Sequence, residues 1–195
     1  MRCTSAITLS LLAAAAMTFI AAPARANLVA DPGFEFAAPG ANAGSRTDFN
    51  APASFDGGDW TVTQGTSSID ASNSYVYNGE KALELTTGSG IDAVSQILDT
   101  VAGHTYTITF MANADTPNEF SLIFGTPVTA APTSITSNGF PGGFVQYSAT
   151  AVAISNLTPL TFLGINTMPD ADSNGHTVEI ADVSVESSTP TPEPA

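Results

Sequence analysis

Cationic side chains are scarce in this sequence: four Lys and Arg stand against 18 Asp and Glu, for a formal charge of −14. So few cations cannot neutralise a phosphate backbone, which excludes nucleic acid as a partner and disfavours an anionic membrane surface. Cysteine is missing apart from Cys3, so neither a disulfide framework nor thiol chemistry is available to the rest of the chain. Long helices are missing as well. After Ala26 no apolar period of 3.6 residues is sustained, and prolines at 32, 39, 52, 117, 127, 132, 141, 159 and 169 interrupt any such run. His104 and His176 are the only histidines, and neither stands in a Ser/His/Asp or HExxH setting, so the residues offer no nucleophile with its base.

What is present begins with a targeting segment. Met1 and Arg2 precede an apolar, Ala-rich run from Ala6 to Ala22, and Ala24-Arg25-Ala26 forms a small-x-small cleavage site. The run is diluted by Thr8, Ser10 and Thr18 and broken by Pro23, whereas a membrane span needs roughly 20 predominantly apolar residues. Residues 1–26 therefore read as a secretory signal peptide of a bacterial protein that is secreted or held at the cell surface. The mature chain is expected to start at Asn27 and to have no transmembrane segment. Cys3, Arg2 and Arg25 leave with the signal, and the remaining 169 residues carry a formal charge of −16. That length supports one domain with one core.

Between the prolines, Thr, Ser, Val, Ile and aromatic residues dominate, as in strands. From Thr105 to Ala112 the residues Tyr106, Ile108 and Phe110 share one face and Thr105, Thr107 and Thr109 the other, the period of a half-buried strand. Val101-Ala102-Gly103-His104 supplies the turn before it. The same alternation places strands at Phe120 to Phe124, Val145 to Ala149 and Leu160 to Phe162, with others at Trp60–Thr63, Ala82–Leu85 and Val94–Leu98. In Thr177–Ser187 the pairs Val178/Ile180 and Val183/Val185 have opposite parity, which predicts a β-bulge near Ala181-Asp182. Nine or ten short strands make the chain all-β, with a two-sheet antiparallel β-sandwich preferred over an up-and-down barrel. The domain is expected over 27–187, with residues 42–52 as a mobile stretch. Residues 188–195, within the run SSTPTPEPA, form a disordered Pro/Thr-rich tail.

Several segments, in order, carry a family resemblance. Asn27-Leu28-Val29 with Gly33-Phe34-Glu35, then Gly58-Asp59-Trp60-Thr61-Val62, Tyr77 to Leu85, Ser95-Gln96-Ile97-Leu98, Val101 to Tyr106 and Val178 to Val185 resemble the signature of carbohydrate-binding modules. The modules in question have the galactose-binding-like jelly-roll fold. The resemblance spans nearly all of the mature chain. It implies that fold, a core position for Trp60, and a structural calcium joining the first strand to the last through Glu35 and Asp182. Hard oxygen ligands suit Ca²⁺, and backbone carbonyls near Lys81 would complete its shell. The closing Pro192-Glu193-Pro194-Ala195 resembles the start of a PEP-CTERM sorting signal, although no hydrophobic helix or basic cluster follows it within these residues.

Sugar recognition needs rings for the apolar C–H face of a pyranose and directed partners for its hydroxyls. Tyr75 and Tyr77, in a polar segment, and Phe140, in the Gly-rich loop 138–143, are the rings expected to face solvent. Glu84 and Glu179 flank inward apolar residues, and a carboxylate pair of that kind serves glycoside hydrolysis when suitably spaced. Here both are expected on the solvated side of their strands, and no catalysis is expected. Asp170-Ala171-Asp172-Ser173-Asn174-Gly175 begins like an EF-hand loop but has Ala181 at the twelfth position, so it reads as an Asx-rich turn. The expectation is a secreted, non-catalytic module that binds extracellular polysaccharide or envelope matrix. The alternative is a structural surface or biofilm-matrix protein without a small ligand, with an enzyme third.

Overall fold

Among the described residues the alternation in the sequence becomes thirteen strands. In the computed structural model these run Arg46–Asn50 (β1), Ala53–Phe55 (β2), Trp60–Gln64 (β3), Thr66–Asp70 (β4), Ala82–Thr87 (β5), Gly90–Asp99 (β6) and Thr105–Ala114 (β7). They continue as Asn118–Phe124 (β8), Thr126–Pro127 (β9), Ser134–Ile135 (β10), Val145–Val152 (β11), Leu157–Asn166 (β12) and His176–Ser187 (β13). The structure describes residues 26–35, 46–71, 77–78, 81–87, 90–114, 118–135, 143–166 and 176–188. The signal segment up to Arg25, the tail from 189, the Asp170–Gly175 turn, Tyr75 and Phe140 lie outside these residues. Among the described residues no helix is long and apolar enough to cross a membrane.

One sheet has the order β1-β4-β5-β13-β7-β11 and the other β10-β8-β12-β6-β3-β2, with β9 attached to β8; every pairing is antiparallel. The two sheets face each other across a single apolar layer, which makes the chain a jelly-roll sandwich. Tyr106, Ile108, Phe110 and Ala112 point into that layer from β7, and Phe120, Leu122 and Phe124 from β8. Trp60 is fully buried, its ring tilted against those of Phe34 at 5.2 Å and Phe162 at 6.1 Å, and its indole N–H donates to the Asp31 carbonyl at 3.3 Å. The core position expected for Trp60 is therefore the one it takes.

The bulge in the last strand is present. The register of β13 on β7 shifts between Ala181 and Ser184, and Asp182 takes a φ of 48° with its side chain in solvent. The extra residue lets Val178, Ile180, Val183 and Val185 all reach zero exposure despite their opposite parity. Burying each of the four is worth roughly 1.5–3 kcal/mol, which outweighs one residue in the left-handed region at about 1–2 kcal/mol.

The bulge also decides where the chain start docks. Up to Ile180 one edge of β13 pairs with β5, and beyond the bulge the N-terminal segment takes over that edge. Val183 N–H donates to Pro32 O at 3.0 Å, Leu28 N–H to Val185 O at 2.9 Å, and the Asn27 side chain bonds to both Val183 O and Val185 N–H.

One expectation fails here. Residues 42–52 were read as mobile, yet Arg46–Asn50 is a strand paired along its whole length with Thr66–Asp70. The polar composition of RTDFN hid it. Phe49 is its one residue packed on the core; Thr47 shares that face, and Arg46, Asp48 and Asn50 point the other way.

Candidate functional site

Antiparallel register sets side chains on one face of neighbouring strands directly opposite each other. On the outer face of the six-stranded sheet this produces one continuous row. Asp48 stands opposite Ser68, Ser68 opposite Glu84, Glu84 opposite Glu179, and Glu179 opposite Asn113. Val145 pairs with Ala112, so the same register sets Phe144 opposite Asn113 at the far end. Six strands at about 4.8 Å spacing give the row a span of roughly 24 Å. The row beside it runs Arg46, Asp70 and Ala82 on one side, and Ala181, Met111 and Gln146 on the other.

The middle of the row is withdrawn from water: Ser68, Glu84, Glu179 and Asn113 are at most 2% exposed. This corrects the expectation that Glu84 and Glu179 form a solvated surface. Alternation had placed them on the face opposite the leucines, and that is the face they take. It does not tell whether that face is open. The ends of the row are open, with the side chains of Arg46 and Asp48 at 41% and 57% exposure.

Buried carboxylates need charged or hydrogen-bonding partners, since an isolated buried charge costs several kcal/mol. Arg46 supplies one. Its Nη1 lies 2.7 Å from Glu84 Oε1, and its Nε donates to Asp48 Oδ1 at 2.8 Å and to Ser68 Oγ at 3.1 Å. Ser68 Oγ in turn donates to Asp48 Oδ1 at 2.7 Å. Burial works against the Arg46 charge, but its bond to Asp48 and the fields of Glu84, Asp48 and Glu179 raise its pKa above the ordinary guanidinium value. The Ser68 hydroxyl, and then Arg46, hold the Asp48 carboxyl below its usual range.

Asp70, Glu84 and Glu179 each present an oxygen within 4.8 Å of the others, the one such group among the described residues that could hold a metal ion. Three hard oxygens suit Ca²⁺ or Mg²⁺, although Arg46 already claims Glu84.

The sequence-derived sites fall as follows. Tyr77 is half-buried, its ring 5.5 Å from that of Phe144 at an interplanar angle of 54°. It therefore meets the end of the row. Tyr75 and Phe140 lie outside the described residues. Glu35 and Lys81 are joined twice: the Lys81 amide donates to Glu35 Oε1 at 3.0 Å and its ammonium to the Glu35 carbonyl at 2.9 Å. Asp182 sits on the bulge, beside the turn of residues 31–35 through the Val183 to Pro32 bond. His104 closes the turn after β6 by donating its amide to Val101 O at 3.0 Å.

Sequence reasoning missed Arg46, Asp48, Ser68, Asp70 and Asn113. One signal was available for the first: Arg46 is the sole arginine after Arg25 in a strongly acidic chain, so a buried carboxylate was its natural destination.

No protein-family model and no curated protein matches the sequence. Solved structures do resemble it. The CBM22-1 xylan-binding domain of Paenibacillus barcinonensis Xyn10C superposes with a TM-score of 0.49 at 12% identity, over 76% of this chain and 98% of that one. TmCBM61, solved with β-1,4-galactotriose, gives 0.47 at 12% identity over 83% and 99%. The arabinose-bound α-L-arabinofuranosidase MgGH51 gives 0.52 at 14% identity, over 85% of this chain and 27% of that one. At such identities the likeness concerns the fold, a two-sheet antiparallel jelly roll.

Proposed function

We propose that this chain is a non-catalytic carbohydrate-binding module acting outside the cell, with an extended polysaccharide lying across the outer face of the six-stranded sheet. The observation that carries the reading is the polar row from Asp48 to Asn113 ending at the Tyr77–Phe144 ring pair. Sugar hydroxyls both donate and accept, and the open ends of the row offer a guanidinium, a carboxylate and the Gln146 amide. The buried middle holds these groups in fixed positions, which lowers the entropy lost on binding. A span of roughly 24 Å suits an oligosaccharide rather than a single ring. Catalysis is not part of the reading: Glu84 is bound by Arg46, and both glutamates are closed to a glycosidic oxygen.

Retention on a panel of neutral insoluble polysaccharides tests this. At least one should retain the protein, and Tyr77→Ala should weaken that retention by about tenfold, as loss of a stacking ring does. Passage through every member of the panel would remove the reading.

The extracellular setting rests on the expected signal peptide of residues 1–26. Asn27, the first residue after the expected cleavage site, already has both side-chain atoms engaged, with Val183, Val185 and Val29. N-terminal sequencing of exported protein should begin at Asn27.

A structural calcium held by Glu35, Asp182 and a backbone carbonyl near Lys81 belongs to the same proposal. The Lys81 ammonium seated on the Glu35 carbonyl marks that oxygen as one that takes a cation. Calorimetry on chelator-stripped protein should show heat on adding Ca²⁺ and a raised melting temperature; neither change would exclude the ion.

A second reading, a structural surface protein that associates with itself, is favoured by one observation. Val101, Val152, Ile154 and Leu157 are 50–63% exposed around two turns tied together by Thr100 N–H to Asn156 O and Gly103 N–H to Ala153 O. Sedimentation showing concentration-dependent oligomers that Ile154→Asp abolishes would support it.

A further inference from the structure

On the other sheet, where the N-terminal segment passes β3 and β6, lies a hollow of about 690 Å³. It is lined by Leu28 and by Asp59, Thr61, Ser95, Ile97 and Asp99, among others. The volume falls within the range of small-molecule sites. Thr61 pairs directly with Ser95, and alternation carries Asp59 onto the face of Thr61, and Ile97 and Asp99 onto the face of Ser95. An isoleucine that is 61% exposed is thus accompanied on its face by two carboxylates.

The walls are fixed, and the two carboxylates of the lining are free. Asn27 spends its side chain on Val183, Val185 and Val29, and Gln96 spends its own on both backbone atoms of Ala30. The side chains of Asp59 and Asp99, both exposed, make no hydrogen bond or ion pair among the described residues. Among the described residues no Lys, Arg or His lines the hollow.

We propose that this hollow is a second ligand site, distinct from the polar row, and that it takes an amino sugar. Carboxylates only accept hydrogen bonds, so the ligand must donate to them, and two of them with no neighbouring cation favour an ammonium and repel a uronic acid. Ile97 and Leu28 meet the C–H face of a pyranose. The hydroxyls of Thr61 and Ser95 lie beside that face; Thr61 Oγ1 is paired with Ser54 Oγ at 3.1 Å and Ser95 Oγ with Thr161 Oγ1, and each keeps a further lone pair for a donor on the sugar. A basic peptide would satisfy the carboxylates but leave this hydroxyl-lined floor unused.

The test uses the whole chain, isotope-labelled, titrated near neutral pH with the unacetylated glucosamine trimer, its N-acetylated counterpart, galacturonate and a lysine-rich peptide. The trimer should move the amide signals of Thr61, Ile97 and Asp99. Its affinity should fall about fivefold in Asp59→Asn and in Asp99→Asn, and similarly on raising salt from about 20 to about 300 mM. Both variants are surface changes, so unchanged melting temperatures show that they fold. The proposal is overturned by any of three outcomes: no shift at those amides, equal binding of the N-acetylated trimer or galacturonate, or tighter binding of the peptide. None of these depends on whether the polar row binds a polysaccharide.

Discussion

Gln96 closes its side-chain amide on the backbone of one residue, Ala30. Nε2 donates to Ala30 O at 2.9 Å and Oε1 accepts from Ala30 N–H at 2.8 Å, so a side chain supplies the pair of bonds that a neighbouring strand would otherwise make. Gln96 itself is only 4% exposed. Replacing it with Leu should cost about 1–2 kcal/mol, since two backbone groups lose partners. Urea denaturation measures the loss, and hydrogen exchange should speed at residues 28–34. Gln96→Glu keeps the acceptor but not the donor and should be no better.

Gly65 joins β3 to β4 at the corner where the chain crosses from one sheet to the other. Its φ is 71°, and a Cβ there would lie 1.7 Å from Asp92 Oδ1 and 2.6 Å from the Ile91 carbonyl oxygen. The second contact is with backbone and cannot swing aside. Gly65→Ala should therefore destabilise by about 3 kcal/mol or more, combining positive-φ strain with the clash. A melting curve within 2–3 °C of wild type would contradict this account of the corner.

Asp92 makes stability depend on pH. Burial pushes its carboxyl up to about 6 from 3.8, only partly offset by the Thr66 amide that donates to it at 2.8 Å. The folded chain therefore keeps this proton where the unfolded chain has released it. Stability should fall as pH rises from about 4 to about 6 and stay low above that, a loss of about 2–3 kcal/mol. Asp92→Asn should remove this slope, read as the wild-type minus variant difference in urea midpoint at pH 4.5 and 7.5. Asp48, whose pKa is lowered, acts in the opposite sense in a more acidic window: its stabilisation is present above the unfolded value and lost as pH drops through the folded one.

Removing Arg46 would leave Glu84 buried beside Glu179 and Asp70 without its cation. The side chain is 41% exposed, so water recovers part of the loss, and Arg46→Met should cost about 1–3 kcal/mol rather than the larger penalty of a fully buried pair. The cost should shrink at low pH as the glutamates take up protons. A cost that does not change with pH would mean that Arg46 acts by packing alone.

The layered architecture was legible because apolar alternation is dense where the strands are central. Tyr106, Ile108 and Phe110 in β7 and the parity change in β13 each point to one arrangement. The strands at one end of a sheet were not legible: β1, at the edge, and β4 beside it place mostly Thr, Ser, Asp and Arg on both faces, and in sequence this looks the same as a loop. The site divides in the same way. Tyr77 could be found from its polar neighbourhood, whereas the row from Asp48 to Asn113 exists only through register, which brings residues 48, 68, 84, 179 and 113 into line. No local spacing encodes that.

The bonds from Asn27 to Val183 and Val185 connect positions 156 and 158 residues apart. A chain emerging from its N-terminus must therefore keep its opening residues without their final partners until nearly the whole domain has been delivered. Contacts of such long range slow the last step of folding, so a nascent chain should remain open, and sensitive to protease near residues 27–35, until β13 arrives to complete it.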